Sequence, residues 1–323
     1  MLVRPRRNRK TQAIRDLTAE TQVGANDLIM PLFLEDGSNI KTEIVSLPGT
    51  YRFSLDNALR EVEECMKLGL KSFILFPAVK ESLKDSRATY GSSKENFYLQ
   101  YIKEIKRSFP EACLISDVAM DPYSSDGHDG MVREGEIIND ETLEVLSQMA
   151  VAQAEAGIDI VGPSDMMDGR VEHIRKSLDE KGFVNTAIMS YTAKYASAFY
   201  GPFRDALESA PKSGDKKTYQ MDPRNKQEAL REAFLDEEEG ADYLMVKPAM
   251  LYLDIIHLLR QHTSLPIAAY QVSGECAMII AASKNGWLNY DDGIRESLTS
   301  IKRAGANIII SYFAKYFLEN KLG

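Results

Sequence analysis

The sequence has few cysteines, no long hydrophobic run and no excess of positive charge, and each absence excludes a class of protein. Three cysteines in 323 residues, Cys65, Cys113 and Cys276, are too few and too widely spaced for a disulfide framework or a CxxC metal site. Apolar runs such as Ile308–Ile310 are much shorter than the ~20 residues that cross a bilayer. The net charge of −9 argues against general affinity for nucleic acid. We therefore expect a globular protein of the reducing cytoplasm that binds neither membranes nor nucleic acid.

The beginning of the chain is basic rather than apolar. Residues 1–15 contain six cations but no apolar segment typical of a secretion signal. An arm that binds nucleic acid is one interpretation, but the acidic remainder of the chain favours an arm that docks on a neighbouring subunit. We predict that residues 1–25 form an N-terminal arm for subunit assembly and that residues 26–323 form a single catalytic domain.

Eight short apolar runs recur along the chain, and most are separated by segments with apolar residues at helical spacing. Leu55–Leu68 and Asp140–Ala156 are predicted helices, and another is predicted to run from Asp222, as its N-cap, to Gly240. Strands that alternate with helices predict parallel βαβ units, and eight units predict a closed (β/α)8 TIM barrel. The alternative is a doubly wound sheet, but Pro31–Gly37 after the first strand lacks a glycine-rich dinucleotide turn. The predicted strands are Leu28–Phe33, Ser72–Phe76, Cys113–Asp117, Ile158–Val161, Ala187–Ser190, Tyr243–Lys247, Pro266–Tyr270 and Asn307–Tyr312.

The predicted strand Tyr243–Lys247 ends in a cation. Pro248 follows at once and stops the β ladder because proline has no N–H to donate. An ammonium held against apolar walls loses hydration, which favours the neutral amine, and a neutral amine is a nucleophile towards carbonyl carbon. Lys247 is therefore either a Schiff-base lysine or a strand-end lysine that extends to solvent.

The other predicted strands resolve this choice, because most of them also end in polar residues. In a barrel of this kind, catalytic groups lie at the C-terminal ends of the strands. A single polar strand end means little, since loops are polar anyway. Six together, two of them with lysines, predict an active-site rim and favour the Schiff-base interpretation. The polar residues at these ends are Asp117, Ser164, Asp165, Ser190, Lys194, Lys247, Gln271, Ser273, Ser311 and Tyr312.

Three longer motifs carry a family resemblance: GPSDMMDGR at 162–170, MSYTAKYASAFYGPFRD at 189–205 and LMVKPA at 244–249. Together with RPRRNR at 4–9 and YQVSGE at 270–275, they resemble the porphobilinogen synthase (5-aminolevulinate dehydratase) family, and the likeness runs essentially end to end. The resemblance implies a (β/α)8 barrel with an extended N-terminal arm, assembled as a homo-octamer. It also implies condensation of two molecules of 5-aminolevulinate to the pyrrole porphobilinogen, with loss of two waters, in tetrapyrrole biosynthesis.

The same resemblance implies roles for individual residues. Lys247 is expected to form the Schiff base with the substrate that supplies the propionate side chain. Lys194, which by itself would be interpreted as a surface loop lysine, is expected to hold the other substrate as an imine or carbinolamine. Two nearby cations disfavour each other's charge, so each lysine helps to keep the other neutral. The implied substrate-binding residues are Arg204, Lys216 and Gln220 for one carboxylate, Ser273 and Tyr312 for the other, and Asp117 and Ser164. Residues 195–220 are predicted to form a lid over the lysines.

The loop after the third strand departs from a common pattern of the family. Many members hold zinc there with three cysteines, whereas this chain has Ala119, Asp121 and Asp129 at those positions. Thiolate ligation is therefore excluded, while carboxylates suit Mg2+ or another hard cation. The loop resembles the zinc-independent, aspartate-rich branch, in which Asp121, Asp126 and Asp129 either hold a cation or orient a substrate amine. His128 is either a hydrogen-bonding loop residue or a catalytic group.

A second metal position is implied on the helix before Lys247. By resemblance, Glu232 is an allosteric Mg2+ ligand near a subunit interface; by itself it would be interpreted as an exposed helix glutamate. The following acidic run, Asp236–Glu239, is predicted to be a solvated helix end.

Two other functions compete with the dehydratase. A class I aldolase also uses a Schiff-base lysine on a (β/α)8 barrel, but one lysine suffices for that reaction, and it needs no pair of carboxylate-binding groups. A non-enzymatic assembly protein would be expected to have lost the catalytic rim, yet every rim position carries a chemically competent residue.

Overall fold

A computed structural model describes residues 1–207 and 212–323. Eight parallel strands close into a barrel in the order β1-β4-β5-β8-β9-β10-β11-β12, and β12 pairs with β1. This confirms the predicted (β/α)8 fold. The strands are β1 (Leu28–Glu35), β2 (Lys41–Glu43), β3 (Tyr51–Phe53), β4 (Ser72–Ala78), β5 (Cys113–Val118), β6 (Met131–Arg133), β7 (Glu136–Ile138), β8 (Ile160–Pro163), β9 (Ala187–Lys194), β10 (Tyr243–Lys247), β11 (Ile267–Gln271) and β12 (Ile308–Ser311).

Helices cover the outside of the barrel. The α-helices are α1 (Gln12–Leu17), α2 (Leu55–Lys67), α3 (Phe97–Ser108), α4 (Asn139–Glu155), α5 (Arg170–Glu180), α6 (Gly201–Leu207), α7 (Gln227–Glu238), α8 (Leu253–His262), α9 (Ser273–Lys284), α10 (Tyr290–Ala304) and α11 (Ala314–Glu319). Short 3-10 helices span Pro5–Arg9, Ala25–Asp27, Glu81–Leu83, Thr89–Ser92, Ala198–Tyr200 and Met250–Tyr252. None of the helices in the part of the chain that the structure describes has both the length and the apolar character needed to cross a bilayer.

The pattern behind one helix prediction can be followed residue by residue. Ala58, Val62 and Cys65 recur at helical spacing in α2 and are buried on its inner face. The helix ends at Lys67, and Gly69, just beyond the C-cap Leu68, has a φ of +87°, a left-handed conformation that strains residues with a Cβ. Local sequence therefore determines both the face and the end of this helix.

The helix before β10 differs from its prediction at two positions. It begins at Gln227, and Asp222 instead closes a turn in which its carboxylate accepts the Arg224 N–H at 2.9 Å. An aspartate before proline suits such a turn as well as an N-cap, so local sequence did not distinguish them. Asp236 was expected in a solvated helix end, but its side chain is buried. The predicted end at Gly240, with a φ of +100°, is confirmed.

The N-terminal segment lies outside the barrel. Nearly all residues from 1 to 20 are exposed, and α1 packs against the 3-10 helix Pro5–Arg9. Its role in subunit assembly stays a prediction.

Two small antiparallel hairpins were not predicted. The hairpin of β2 and β3 joins the C-terminal end of β1, where Phe33 pairs with Arg52. The hairpin of β6 and β7 follows the aspartate loop after β5. Both have strands of three residues, which are too short for an alternating pattern to identify.

Candidate active site

Two lysines stand side by side at the C-terminal ends of neighbouring strands. Lys194 on β9 and Lys247 on β10 are paired in register, and each is only 6% exposed. The two amines predicted from the sequence therefore share one mouth of the barrel, the end at which such folds place their chemistry.

A bulge in β9 orients the side chains around these lysines. Ser190 pairs with Leu244 and Ala193 with Val246, so β9 contains one extra residue between these two pairings. Regular alternation would put Tyr191 and Lys194, three positions apart, on opposite faces. Instead, the Tyr191 ring lies 5.8 Å from Lys194 Nζ and 5.1 Å from Lys247 Nζ.

Aromatic rings surround Lys247. Its Nζ lies 4.6 to 5.3 Å from the ring centroids of Tyr270, Phe203, Tyr191 and Tyr200. Ring faces attract a cation, but burial removes the water that would solvate it. Burial first, and then the charge of Lys194, lower the pKa of Lys247 to about 7. A large fraction of this amine is therefore neutral at physiological pH.

Lys194 lies in a polar group of side chains. Its ammonium donates to the Ser164 carbonyl oxygen and lies 3.5 Å from Asp129 Oδ2. Lys216 Nζ contacts Asp129 Oδ1 at 3.0 Å and Asp121 Oδ2 at 3.1 Å. Burial by itself would raise the pKa of Asp129, but the two lysine charges outweigh it and lower that pKa. Lys216, predicted as a donor to a substrate carboxylate, thus binds two protein carboxylates.

Asp117 is the second-last residue of β5, and the charges of both lysines act on its carboxyl group. Burial first, and then the charge of Asp121, raise its pKa to about 7, while Lys247 opposes the shift. Among the described residues, its Oδ1 has no hydrogen-bond partner. Gln153 holds the Asp117 backbone by donating to its carbonyl oxygen at 3.0 Å. Asp117 is therefore a positioned carboxyl group that can change its protonation state near neutral pH.

The predicted carboxylate donors divide between the two lysines. Ser273 and Tyr312 belong to the Lys247 side, because each contacts a residue whose ring lies over Lys247. Ser273 Oγ accepts the Phe203 N–H at 3.0 Å, and the Tyr312 hydroxyl lies 2.9 Å from that of Tyr270.

The other predicted donors lie nearer to Lys194 or on the segment that covers the site. Lys216 joins Lys194 through their common partner Asp129, and Gln220 is buried in the turn after Lys216. Arg204 is half-buried on α6, the helix that also carries Phe203.

The predicted lid segment, 195–220, passes over the lysines where it is described; positions 208–211 lie outside the described residues. The Arg52 side chain holds α6 by donating to the Ala206 carbonyl at 2.7 Å. His128 contacts the Tyr219 hydroxyl at 3.1 Å and the Ser213 carbonyl at 2.9 Å. His128 is thus a hydrogen-bonding loop residue that joins the aspartate loop to this segment. Opening and closing of the segment stay predictions.

A buried ionic group lies behind the lysines, where α5 and α7 meet β9. Arg170 contacts Asp236 at 3.3 Å and donates to Ser190 Oγ at 2.9 Å, and Ser190 donates to Asp236 at 2.6 Å. Arg170 Nε also lies 3.8 Å from the buried Asp165 carboxylate. This network joins the outer helices to the strand that carries Lys194.

A separate acidic cavity of about 370 Å³ lies beside Arg170. Burial first, and then the neighbouring carboxylates, raise the pKa of Glu232 to about 7, while Arg170 opposes the shift. The acidic residues that line the cavity are Asp168, Glu228, Glu232, Asp236 and Glu239.

Sequence reasoning missed Arg170 and the rings of Tyr191, Tyr200, Phe203 and Tyr270. Tyr270 lies at the end of a predicted strand, and the other four lie within the two longest motifs. The motifs therefore indicated the region of the active site. No local sequence pattern, however, distinguishes a tyrosine that lines an active site from one that packs in the core.

Proteins of one known family match this chain along almost its whole length. A model of the family described as delta-aminolevulinic acid dehydratase matches residues 2–320. The chain is 57% identical over 316 residues to the delta-aminolevulinic acid dehydratase of Chlamydia pneumoniae, covering 98% of this chain and 95% of the relative. It is 52% identical over 315 residues to that of Bradyrhizobium diazoefficiens, covering 97% and 89%.

A solved structure of the same family has the same fold as this chain. Delta-aminolevulinic acid dehydratase from Toxoplasma gondii, in complex with the reaction product porphobilinogen, matches this chain with a TM-score of 0.96 and 48% identity. The match covers 99% of this chain and 91% of that one, so it includes the barrel and both lysines.

Proposed function

We propose how this chain, which belongs to the delta-aminolevulinic acid dehydratase family, condenses two molecules of 5-aminolevulinate to porphobilinogen: Lys247 forms a Schiff base with one substrate, and Lys194 holds the other. The reaction supplies porphobilinogen for tetrapyrrole synthesis. The family assignment favours the dehydratase over the class I aldolase and over a non-enzymatic assembly protein.

The adjacent pair of lysines carries this proposal. A Schiff base begins with attack of a neutral amine on a ketone, and the lowered pKa of Lys247 supplies that amine near pH 7. The bond forms between Nζ and the carbonyl carbon, and the resulting carbinolamine loses its oxygen as water. Because Lys194 is paired in register with Lys247, a second substrate held there lies beside the first.

Asp117 is suited to move the protons of these steps. Loss of water from the carbinolamine requires a proton on the departing oxygen, and later carbon–carbon bond formation requires a proton to be removed from carbon. A carboxyl group with a pKa of about 7 can do both at neutral pH. Its Oδ1 makes no hydrogen bond to the residues that the structure describes, so no other described protein group holds this oxygen.

The division of the donors supports two substrate subsites. The Ser273 and Tyr312 hydroxyls can bind the carboxylate of the substrate on Lys247, since their partners Phe203 and Tyr270 lie over that amine. An ammonium has three donors, and two of those of Lys216 go to Asp121 and Asp129. The third remains for the carboxylate of the other substrate, with Arg204 and Gln220 as further donors.

Borohydride reduction in the presence of 5-aminolevulinate tests the assignment. We expect the added mass on the peptide that contains Lys247, and its absence in Lys247→Arg, because an arginine does not form the imine. Lys217→Arg, on an exposed neighbour of Lys216, is the matched control and should keep the adduct. An adduct that persists in Lys247→Arg would refute the role of this lysine.

We also propose that the enzyme needs no active-site zinc and that Mg2+ binds in the cavity beside Glu232. Carboxylate oxygens are hard ligands, and five acidic side chains line this cavity. Burial first, and then the neighbouring carboxylates, raise the pKa of Glu232, and a bound cation would favour its charged form. In the described residues, no three His, Cys, Asp or Glu side chains converge as a ligand cluster. Mg2+ there would retain several waters, as it commonly does. When bound, it would act as an allosteric activator remote from the lysines.

The metal proposal makes separable predictions. Phenanthroline should leave activity intact, whereas strict dependence on zinc would contradict the assignment. Glu232→Gln should weaken Mg2+ binding, measured by calorimetry, by about tenfold or more because it removes a charged ligand. Glu238→Gln, on the exposed face of the same helix, should leave that binding unchanged.

We also propose a homo-octameric assembly, as the family resemblance implies. The exposed N-terminal segment supports assembly through this arm, because an arm that makes few contacts with its own barrel can dock on another copy. The three unpaired cysteines are compatible with the proposed cytoplasmic location.

A further inference from the structure

Two buried carboxylates in the active site share a single lysine. Asp129 is 1% exposed, Asp121 8% and Lys216 7%. The Lys216 ammonium contacts both carboxylates, at 3.0 and 3.1 Å, and therefore lies between them. Two carboxylates facing one point are also what a hard divalent cation requires, so the ammonium occupies the place of such an ion.

The charges around this point are already balanced. Lys194 lies 3.5 Å from the second oxygen of Asp129, so two cations face two carboxylates. Burial by itself would lower the pKa of Lys216, yet the charges of Asp121 and Asp129 outweigh it and raise that pKa. The lysine is therefore held in its charged form. A divalent cation would have to displace a buried ammonium that contacts two carboxylates, and would leave the charge of that ammonium uncompensated.

We infer that Lys216 is a built-in counter-ion that keeps the Asp121–Asp129 pair from binding a divalent cation. Removing its charge should convert the pair into a site for Mg2+ or Mn2+. For Asp121 and Asp129, the inference disfavours the cation-binding role that the sequence left open, because their partner is an ammonium of the same chain. The inference does not depend on the catalytic roles of Lys194 and Lys247, because its test measures metal binding and not enzyme activity.

Mn2+ binding, measured by electron paramagnetic resonance of the free ion, tests the inference. All variants carry Glu232→Gln, which weakens the proposed Mg2+ site by about tenfold or more, so that a new and tighter site can be distinguished from it. We expect the parent Glu232→Gln to bind no Mn2+ through Asp129. Adding Lys216→Met should create one Mn2+ site per chain, at least about tenfold tighter than any site of the parent.

Three matched variants identify the new site. Lys216→Arg keeps the positive charge and should create no site. Lys217→Met removes an exposed neighbouring charge and should create none either. Adding Asp129→Asn to Lys216→Met should abolish the new site because only one carboxylate remains.

Two results would overturn the inference. One is a Lys216→Met variant that has the same thermal unfolding midpoint as the parent, and so is folded, but does not bind Mn2+. The other is Mn2+ binding in the parent that Asp129→Asn removes, since the ammonium would then not exclude the ion. The second measurement needs no Lys216 variant, so it decides the matter even if that variant fails to fold. A Lys216→Met variant that folds only with Mn2+ would support the inference.

Discussion

At the scale of the residue, reactivity here follows from the environment of a side chain. Lys247 is an ordinary lysine whose amine is made nucleophilic by burial among four rings and by the charge of Lys194. Lys216 is equally buried, but two carboxylates keep it charged. The same residue type is thus the proposed nucleophile at one position of the site and the proposed counter-ion at another, because the balance of burial and charge differs.

The environment of Lys247 predicts a pH dependence. Because its pKa is about 7, the amine is mostly protonated below pH 7 and mostly neutral above it. The rate at which 5-aminolevulinate and cyanoborohydride inactivate the enzyme should therefore rise with pH to a midpoint near 7. An exposed lysine would give a midpoint at about pH 10.4. Inactivation that still increases steeply between pH 8 and 10 would contradict this assignment.

At the scale of the element, the lysine-bearing strands depend on helices behind them. Arg170 at the start of α5 contacts Asp236 of α7 and Ser190 of β9. These contacts hold β9 next to its bulge, which orients Tyr191 and Lys194. The arrangement of the site therefore depends on a buried ionic network that lies behind the lysines.

Arg170→Met should destabilise the protein by about 3–5 kcal/mol, because Asp236 and Asp165 would lose their buried counter-charge. Urea unfolding measures this change. Lys176→Met on the same helix removes an exposed pair with Glu172 and should cost at most about 0.5 kcal/mol.

A double variant separates the charge effect from packing. Adding Asp236→Asn to Arg170→Met should recover part of the lost stability, because one uncompensated charge is gone. A cost below about 1 kcal/mol for Arg170→Met would mean that solvent reaches this network.

At the scale of the whole molecule, barrel and arm are separate parts. The barrel closes on itself through the pairing of β12 with β1. Residues 1–20 lie outside it and are almost entirely exposed. Exposed apolar residues such as Leu2 and Leu17 are then available to a neighbouring copy.

Deleting residues 1–20 should reduce the assembly while leaving the barrel folded. Light scattering should give about eight times the 36.2 kDa chain mass for the full protein and a smaller multiple for the truncated one. The thermal midpoint of the truncated barrel should change little, because the deleted residues make few contacts with it. An unchanged mass would refute the assembly role of the arm.

Much of the fold and of the site could be predicted from the sequence, because the deciding signals are local. Buried parallel strands must be apolar, so all eight barrel strands were located, and Tyr243–Lys247 was found with the bounds that the structure has. A lysine at the end of such a strand is unusual, and it identified the mouth of the barrel. The long motifs around Lys194 then indicated the family.

Tertiary structure decided what depends on contacts between distant segments. The bulge in β9 is defined only by its pairing with β10, and it determines which side chains face the lysines. The sequence predicts an exposed Asp236, but in the structure Asp236 on α7 is buried and pairs with Arg170 on α5. Lys216 contacts Asp121 and Asp129 only in the folded chain, so no local sequence pattern predicts its proposed role as a counter-ion. Sequence determined the strands and the position of the proposed nucleophile, while the charge balance around Lys247 exists only in the folded barrel.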